Sequence, residues 1–157
     1  MTELTAIEGS VIAHGRRVAV VAARFNDFIV ASLLRGAVEA WRERGGAPEN
    51  LLVARVPGAF ELPVAVQRLA ASRRFDAVVA LGCVIRGDTP HFDYVAGECA
   101  RGLETASLTT GVPVAFGVLT VNTVEQALER AATTGANKGA EAMHTALEMA
   151  DLMVRLP

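Results

Sequence analysis

Apolar runs and amphipathic stretches alternate along the chain, and their periods predict strands and helices in turn. "RVAVVAARF" (Arg17–Phe25) is a small and β-branched apolar run that stops at Asn26 and Asp27, two residue types that cap helices. From Phe28 to Arg44, apolar residues recur at helical spacing: Val30, Leu33, Leu34, Ala37, Val38 and Trp41. "GGAPEN" then breaks the chain. "LLVARV" (Leu51–Val56) predicts a second strand, and "PGAFELP" leads into a helix through Ser72. "FDAVVALGCVI" (Phe75–Ile85) predicts a third strand, apolar on both faces, followed by a helix over roughly Asp93–Thr110. "VPVAFGVLT" (Val112–Thr120) predicts a fourth strand. A helix near Thr123–Thr133, a loop "TTGANKG" and a final helix from about Ala140 complete the pattern.

Strands that read as continuous apolar runs, each followed by a helix, require a parallel sheet covered on both faces. Right-handed crossovers then give an α/β three-layer sandwich. The segment 1–14, with "AIEGSVIA", is expected to be an N-terminal arm or edge strand, able to pair with a neighbouring subunit's sheet; 15–157 is expected to be one domain.

Composition adds one feature to this picture. Of the 157 residues, 52% are hydrophobic and 20% charged, with a mean hydropathy of +0.34. That is apolar for a monomer, yet no run reaches the roughly 20 apolar residues of a membrane span. Subunit contacts are the expected destination for the surplus. A net charge of -2 without Lys/Arg clusters argues against a nucleic-acid partner. The N-terminus has neither the basic start nor the apolar core of a signal peptide. Cys83 and Cys99 are expected to be buried free thiols in a reducing cytoplasm, and neither is a candidate nucleophile.

Ligands of open parallel sheets bind beyond the carboxyl ends of the strands. The unusual residues of this chain collect there: "RFND" after strand one, "PGAFE" after strand two, "RGDTPHF" after strand three. Phe25, Phe60 and Phe92 lie at these ends and Phe116 lies inside strand four. Asn26, Glu61, Arg86, Thr89 and His91 accompany them. Aromatic faces beside a carboxylate, an imidazole and a Gly-containing turn suit a planar polar ligand. "RGDT" before a helix could also hold a phosphate on backbone N–H groups, although the Asp88 carboxylate opposes an anion. Each residue has a plainer reading: His91 as an exposed first-turn residue, Glu61 as complement to a helix terminus, Phe60 and Phe116 as core, Arg130 and Lys138 as solvated charges. His14 and His144 read as surface residues. Convergence on one edge favours a site. No GxGxxG or P-loop occurs, which argues against dinucleotides and nucleoside triphosphates.

Taken in order, "VAARFND", "VPGAFELP", "LGCVIRGDTPHFDYV", "VPVAFGVLT" and "EQALERA…GANKGAEA" resemble the lumazine synthase family, from about Gly15 to Met149. The resemblance implies a flavodoxin-like fold with a four-stranded parallel sheet. It implies condensation of 5-amino-6-(D-ribitylamino)uracil with 3,4-dihydroxy-2-butanone 4-phosphate to 6,7-dimethyl-8-ribityllumazine, with no metal or organic cofactor. It implies homopentamers, built up further into an icosahedral 60-mer, with riboflavin synthase as a candidate partner and sites between adjacent subunits. By resemblance, Phe25 stacks on the pyrimidine and Asn26 lies on the ribityl chain. Ala59, Phe60 and Glu61 hold the ribityl hydroxyls, and Cys83, Val84 and Ile85 line the heterocycle. Asp88 and Thr89 form the phosphate turn, and His91 transfers protons. Phe116, Arg130 and Lys138 come from the neighbour, with Arg130 on the phosphate. Where many members carry a Lys before the "GANKG" turn, this chain has Thr134. The loop also lacks the insertion of members that stop at pentamers, which favours the shell. Two other readings remain: a non-catalytic shell or flavin-binding paralogue, and a flavodoxin-like electron carrier, for which "RFND" is poor in the Ser, Thr and Gly of an FMN-phosphate loop.

Overall fold

A computed structural model describes residues 3–157. Four strands, β1 (Val18–Ala23), β2 (Leu51–Val56), β3 (Ala77–Ile85) and β4 (Val114–Val121), form one parallel sheet in the order β2-β1-β3-β4. Five helices connect or follow them: α1 (Asp27–Glu43), α2 (Leu62–Ala71), α3 (His91–Thr110), α4 (Val124–Arg130) and α5 (Lys138–Arg155). The chain therefore has the doubly wound, flavodoxin-like α/β sandwich. Its strand order reverses between β1 and β3, where a doubly wound sheet opens a crevice.

The two central strands are buried on both faces, as their unbroken apolar runs require. Val18, Val20 and Ala22 of β1 face α1, α4 and α5, packing with Leu33, Trp41, Ala127, Met143 and Leu147. Ala19, Val21 and Ala23 face α2 and α3, packing with Leu62, Val66, Cys99 and Leu103. The edge strand β2 departs from the expected all-apolar burial. Leu52 and Val53 stay exposed, because an edge strand lacks a neighbour on one side.

Beyond β4, two boundaries differ from the periodicity, and both change where site residues sit. The helix expected to reach Thr133 ends at Arg130, and α5 starts at Lys138 instead of Ala140. Asn137 is the cause. It is buried, its Oδ1 accepts from Ala140 N–H at 3.0 Å, and its Nδ2 donates toward the carbonyls of Ser32, Ala131 and Ala132, each at 3.2 Å. One amide thus caps α5, closes the loop behind α4 and ties both to α1. Lys138 is accordingly a first-turn helical residue, not a loop charge. Gly139 must be glycine, because a Cβ there would collide with the Leu33 carbonyl where α5 crosses α1.

Asn26 also departs from expectation. It occupies the N-cap position of α1 in a left-handed conformation (φ 62°) but makes no side-chain cap. Its Nδ2 donates to the Cys83 carbonyl at 2.9 Å, lacing the end of β1 to the end of β3. His144, expected at the surface, is half-buried, and its Nε2 has no hydrogen-bond partner. A position between α1 and α5 encloses it.

Residues 3–14 form no strand with this chain's own sheet. The arm is fastened by Asp151, whose carboxylate accepts from Ser10 N–H (2.8 Å), Arg16 Nη2 (2.9 Å) and Arg155 Nε (2.8 Å). The Ser10 N–H first, then the Arg155 guanidinium, hold this carboxyl below its ordinary value. Leu4 projects from the arm almost fully exposed.

Candidate active site

The carboxyl ends of β1, β2 and β3 open into a cleft of about 730 Å³. Its walls come from the three segments that follow those strands. Phe25 stands at one side, 72% exposed, on a backbone fixed by N–H donation to the Pro57 carbonyl at 2.9 Å. Ala59, Phe60 and Glu61 form a single 3-10 turn after β2. Glu61 folds back over Gly58, whose missing side chain makes room for its Oε1. Cys83, Val84 and Ile85 form the floor. Thr89, His91, Phe92, Tyr94 and Val95 close the far side from the entry to α3.

An exposed ring on a rigid strand end has no stability rationale, because burial stabilises an aromatic side chain by about 2 kcal/mol. Phe25, Phe60 and Tyr94 all stand at least 60% exposed around one opening. Such a wall is complementary to a flat ring. The Cys83 thiol is unsuited to nucleophilic work, since burial pushes it up to about 11. Cys99, on the buried face of α3, is pushed up to about 11 for the same reason.

The turn between β3 and α3 is solvent-exposed from Arg86 to His91. Pro90 precedes the first helical residue, which is His91 itself, two residues earlier than expected. His91 N–H donates to Thr89 Oγ1 at 3.4 Å, and Asp93 N–H to the Pro90 carbonyl at 3.0 Å. The His91 side chain thus emerges at the cleft rim from the first turn of a 20-residue helix.

A second cleft, of about 470 Å³, runs along the outer strand β4. Phe116, half-exposed, lines it with Arg130 at the end of α4 and Lys138 at the start of α5. Arg130 Nη1 donates to the Gln126 carbonyl at 3.0 Å, which holds the guanidinium along its own helix. Lys138 Nζ pairs with Glu141 at 3.2 Å. The two clefts share no lining residue.

The chain matches the family model for 6,7-dimethyl-8-ribityllumazine synthase over residues 15–154. A protein of Syntrophus aciditrophicus (strain SB) named 6,7-dimethyl-8-ribityllumazine synthase is 54% identical over 149 residues, spanning 95% of this chain and 97% of that one. The chain belongs to the 6,7-dimethyl-8-ribityllumazine synthase family.

Against this family, the residues singled out in the sequence divide into groups. Phe25, Ala59, Phe60, Glu61, Cys83, Val84, Ile85, Thr89 and His91 wall the first cleft together. Phe116, Arg130 and Lys138 wall the second. Asn26 and Asp88 are not wall residues of either. Half of the Asn26 amide is already committed to the Cys83 carbonyl, leaving Oδ1 for any ligand. Tyr94 in the first cleft and Glu141 in the second are wall residues that residue type alone did not single out. Both were legible as helical neighbours, three residues after His91 and Lys138. No group of three or more His, Cys, Asp or Glu side chains among the described residues could hold a metal ion.

Proposed function

We infer that this protein performs its family's condensation of 5-amino-6-(D-ribitylamino)uracil with 3,4-dihydroxy-2-butanone 4-phosphate, and that its two clefts are complementary halves of one site. The observation that carries this is the division of chemistry between them. One cleft is aromatic and backbone-lined; the other is cationic. The first suits a pyrimidine and the second a phosphate ester.

The uracil amine attacks the ketone and forms a carbon–nitrogen double bond with loss of water. Phosphate then leaves, and ring closure by the second nitrogen releases another water. The amine is already a nucleophile, so the protein supplies none. His91 moves protons between nitrogen and oxygen, a task suited to an imidazole near neutral pH. Phe25 stacks on the pyrimidine. Asn26, Ala59, Phe60 and Glu61 hold the ribityl chain, while Cys83, Val84 and Ile85 contact the heterocycle through their backbone. Asp88 and Thr89 present backbone N–H groups and a hydroxyl to the phosphate. Arg130 neutralises the departing phosphate, Lys138 lies beside it, and Phe116 closes over the ring. Much of the acceleration comes from holding two reactants together.

Complementary halves on separate surfaces call for a neighbouring copy, and the resemblance to the family makes that assembly a homopentamer with each site between adjacent copies. Exposed apolar residues support this: Val64 on α2, Leu108 and Tyr94 on α3, and Leu4 on the arm. The short loop before Asn137 favours assembly of pentamers into an icosahedral 60-mer, able to accompany riboflavin synthase. The arm 3–14 is suited to pair with a neighbour's β2 edge, beside a single domain from residue 15. Two buried free thiols fit a cytoplasmic setting, and no described helix is long and apolar enough to cross a membrane.

The test is the rise of lumazine absorbance when purified, assembled protein meets both substrates. Acceleration over the uncatalysed reaction, dependent on the phosphate ester, is the expected result. None from assembled protein would move the reading to a shell or flavin-binding paralogue.

A further inference from the structure

We propose that Arg86 is a positioning residue for the condensation: it binds the turn after β4 to the first turn of α3 and so fixes His91 at the cleft rim. The inference rests on the assignment of His91 as the proton carrier.

Arg86 is the first residue beyond β3, and its side chain is about half exposed. A lone cation there would be free to reach the phosphate turn. Instead it is anchored on four sides. Its backbone N–H donates to the Val121 carbonyl at 2.8 Å, at the end of β4. Its Nε donates to Asn122 Oδ1 at 3.1 Å. Its Nη1 lies 3.5 Å from Asp93 Oδ1, and the guanidinium carbon sits 4.4 Å from the Phe92 ring centroid.

Phe92 and Asp93 are the two residues after His91. The guanidinium therefore grips the same helical turn from which His91 projects. The segment it bridges, residues 87–90, is exposed and offers His91 little more than the long Thr89 contact. Among the described residues, the imidazole has no hydrogen-bond partner of its own to orient it. Asn122, by contrast, is firmly held, because its N–H donates to Gln126 Oε1 at 2.7 Å and Thr123 caps α4. The firm end of the bridge is the β4–α4 turn; the end needing support is the start of α3.

An exposed ion pair alone contributes little. The arrangement instead depends on the shape of the side chain. A planar fork can stack on Phe92 while reaching Asn122 and Asp93 from different nitrogens, which an ammonium group cannot do. Arg86→Lys thus separates positioning from simple charge.

In assembled protein, steady-state rates and KM for each substrate would be measured for Arg86→Met, Arg86→Lys, His91→Ala and the Arg86→Met/His91→Ala pair. Positioning predicts a loss of kcat of roughly ten-fold in both Arg86 variants, with both KM values within about two-fold. It also predicts almost no further loss when Arg86→Met is added to His91→Ala. Full activity in Arg86→Lys, or a raised KM for the phosphate ester at unchanged kcat, would make Arg86 an anion-binding charge and overturn the proposal. An equal loss from Arg86→Met with and without His91 would overturn it too. Unchanged kcat in His91→Ala alone would remove the His91 assignment, and the inference with it. Should Arg86→Met not assemble, Asn122→Ala removes one anchor and keeps the cation. A smaller kcat loss there supports positioning, and no loss refutes it.

Discussion

The cleft beyond β1–β3 and the cleft along β4 are built on opposite plans. The first has a floor of buried strand ends and walls of exposed rings, so its shape is set by backbone that cannot move without unfolding the sheet. The second is set by long charged side chains at helix ends, Arg130 and Lys138, on a segment held by one buried amide. Rings on rigid strands read the shape of a heterocycle. Cations near a strand edge read charge and tolerate variation in geometry. The division matches the enzyme's two substrates, one a flat pyrimidine and one a small phosphate ester.

The strongest way to break this comparison is to disable one cleft at a time. His91→Ala should lower kcat by about 100-fold, near 3 kcal/mol, while sedimentation shows assembly intact. Arg130→Ala should chiefly raise KM for the butanone phosphate, by about 2 kcal/mol, the worth of a charge-assisted contact. If the halves come from different copies, refolding the two variants together in equal amounts should restore about a quarter of the sites. No recovery from mixed assemblies would mean that each chain keeps its own site.

Asn137→Ala should selectively loosen the second cleft. Removing a buried amide with partners on three segments should cost about 2 kcal/mol of stability, read as a lowered denaturant midpoint, and weaken phosphate-ester binding more than pyrimidine binding. Equal weakening of both would mean that the clefts are not independently supported.

Phe25→Ala sharpens the comparison from the other side. Loss of one stacking face should raise KM for the pyrimidine by roughly ten-fold, or 1–2 kcal/mol, and leave the phosphate ester unaffected.

The smallest effect expected at neutral pH is that of the thiols. Both Cys83 and Cys99 are raised from 9.0 to about 11, so both stay protonated at pH 7 and Cys83→Ala should leave the rate unchanged. A folded value above the unfolded one means that the unfolded chain releases its proton first as pH rises. The stability of the protonated, buried thiols is therefore complete below pH 9 and is lost as pH climbs toward 11. A variant with both cysteines replaced by alanine should show a flatter fall in melting temperature across that window.

The order of strands and helices was legible in the sequence because period and run length report burial directly. β1 and β3 read as unbroken apolar runs since both faces are covered, and both lie at the centre of the sheet. β2 read the same way yet is half exposed, because composition does not reveal which strand is the edge. Most members of the first cleft were legible as well. Strand ends of a parallel sheet share one rim, so Phe25, Phe60, Thr89 and His91 could be grouped from topology alone.

Tertiary structure decided the rest. Asn26 reads as a cap by residue type, but its amide goes to the Cys83 carbonyl, 57 positions away in the chain. Lys138 looked like a loop charge until Asn137, buried against α1, moved the start of α5 back to meet it. Arg86 was legible as a polar residue of the rim, but not its anchorage, because its partners Asn122 and Phe92 become neighbours only when β3 pairs with β4 and α3 turns back over the sheet. Periodicity is a property of one segment packing against an average interior, so a sequence determines it alone. A hydrogen bond between distant segments depends on the register and approach of both, and only the folded chain fixes those.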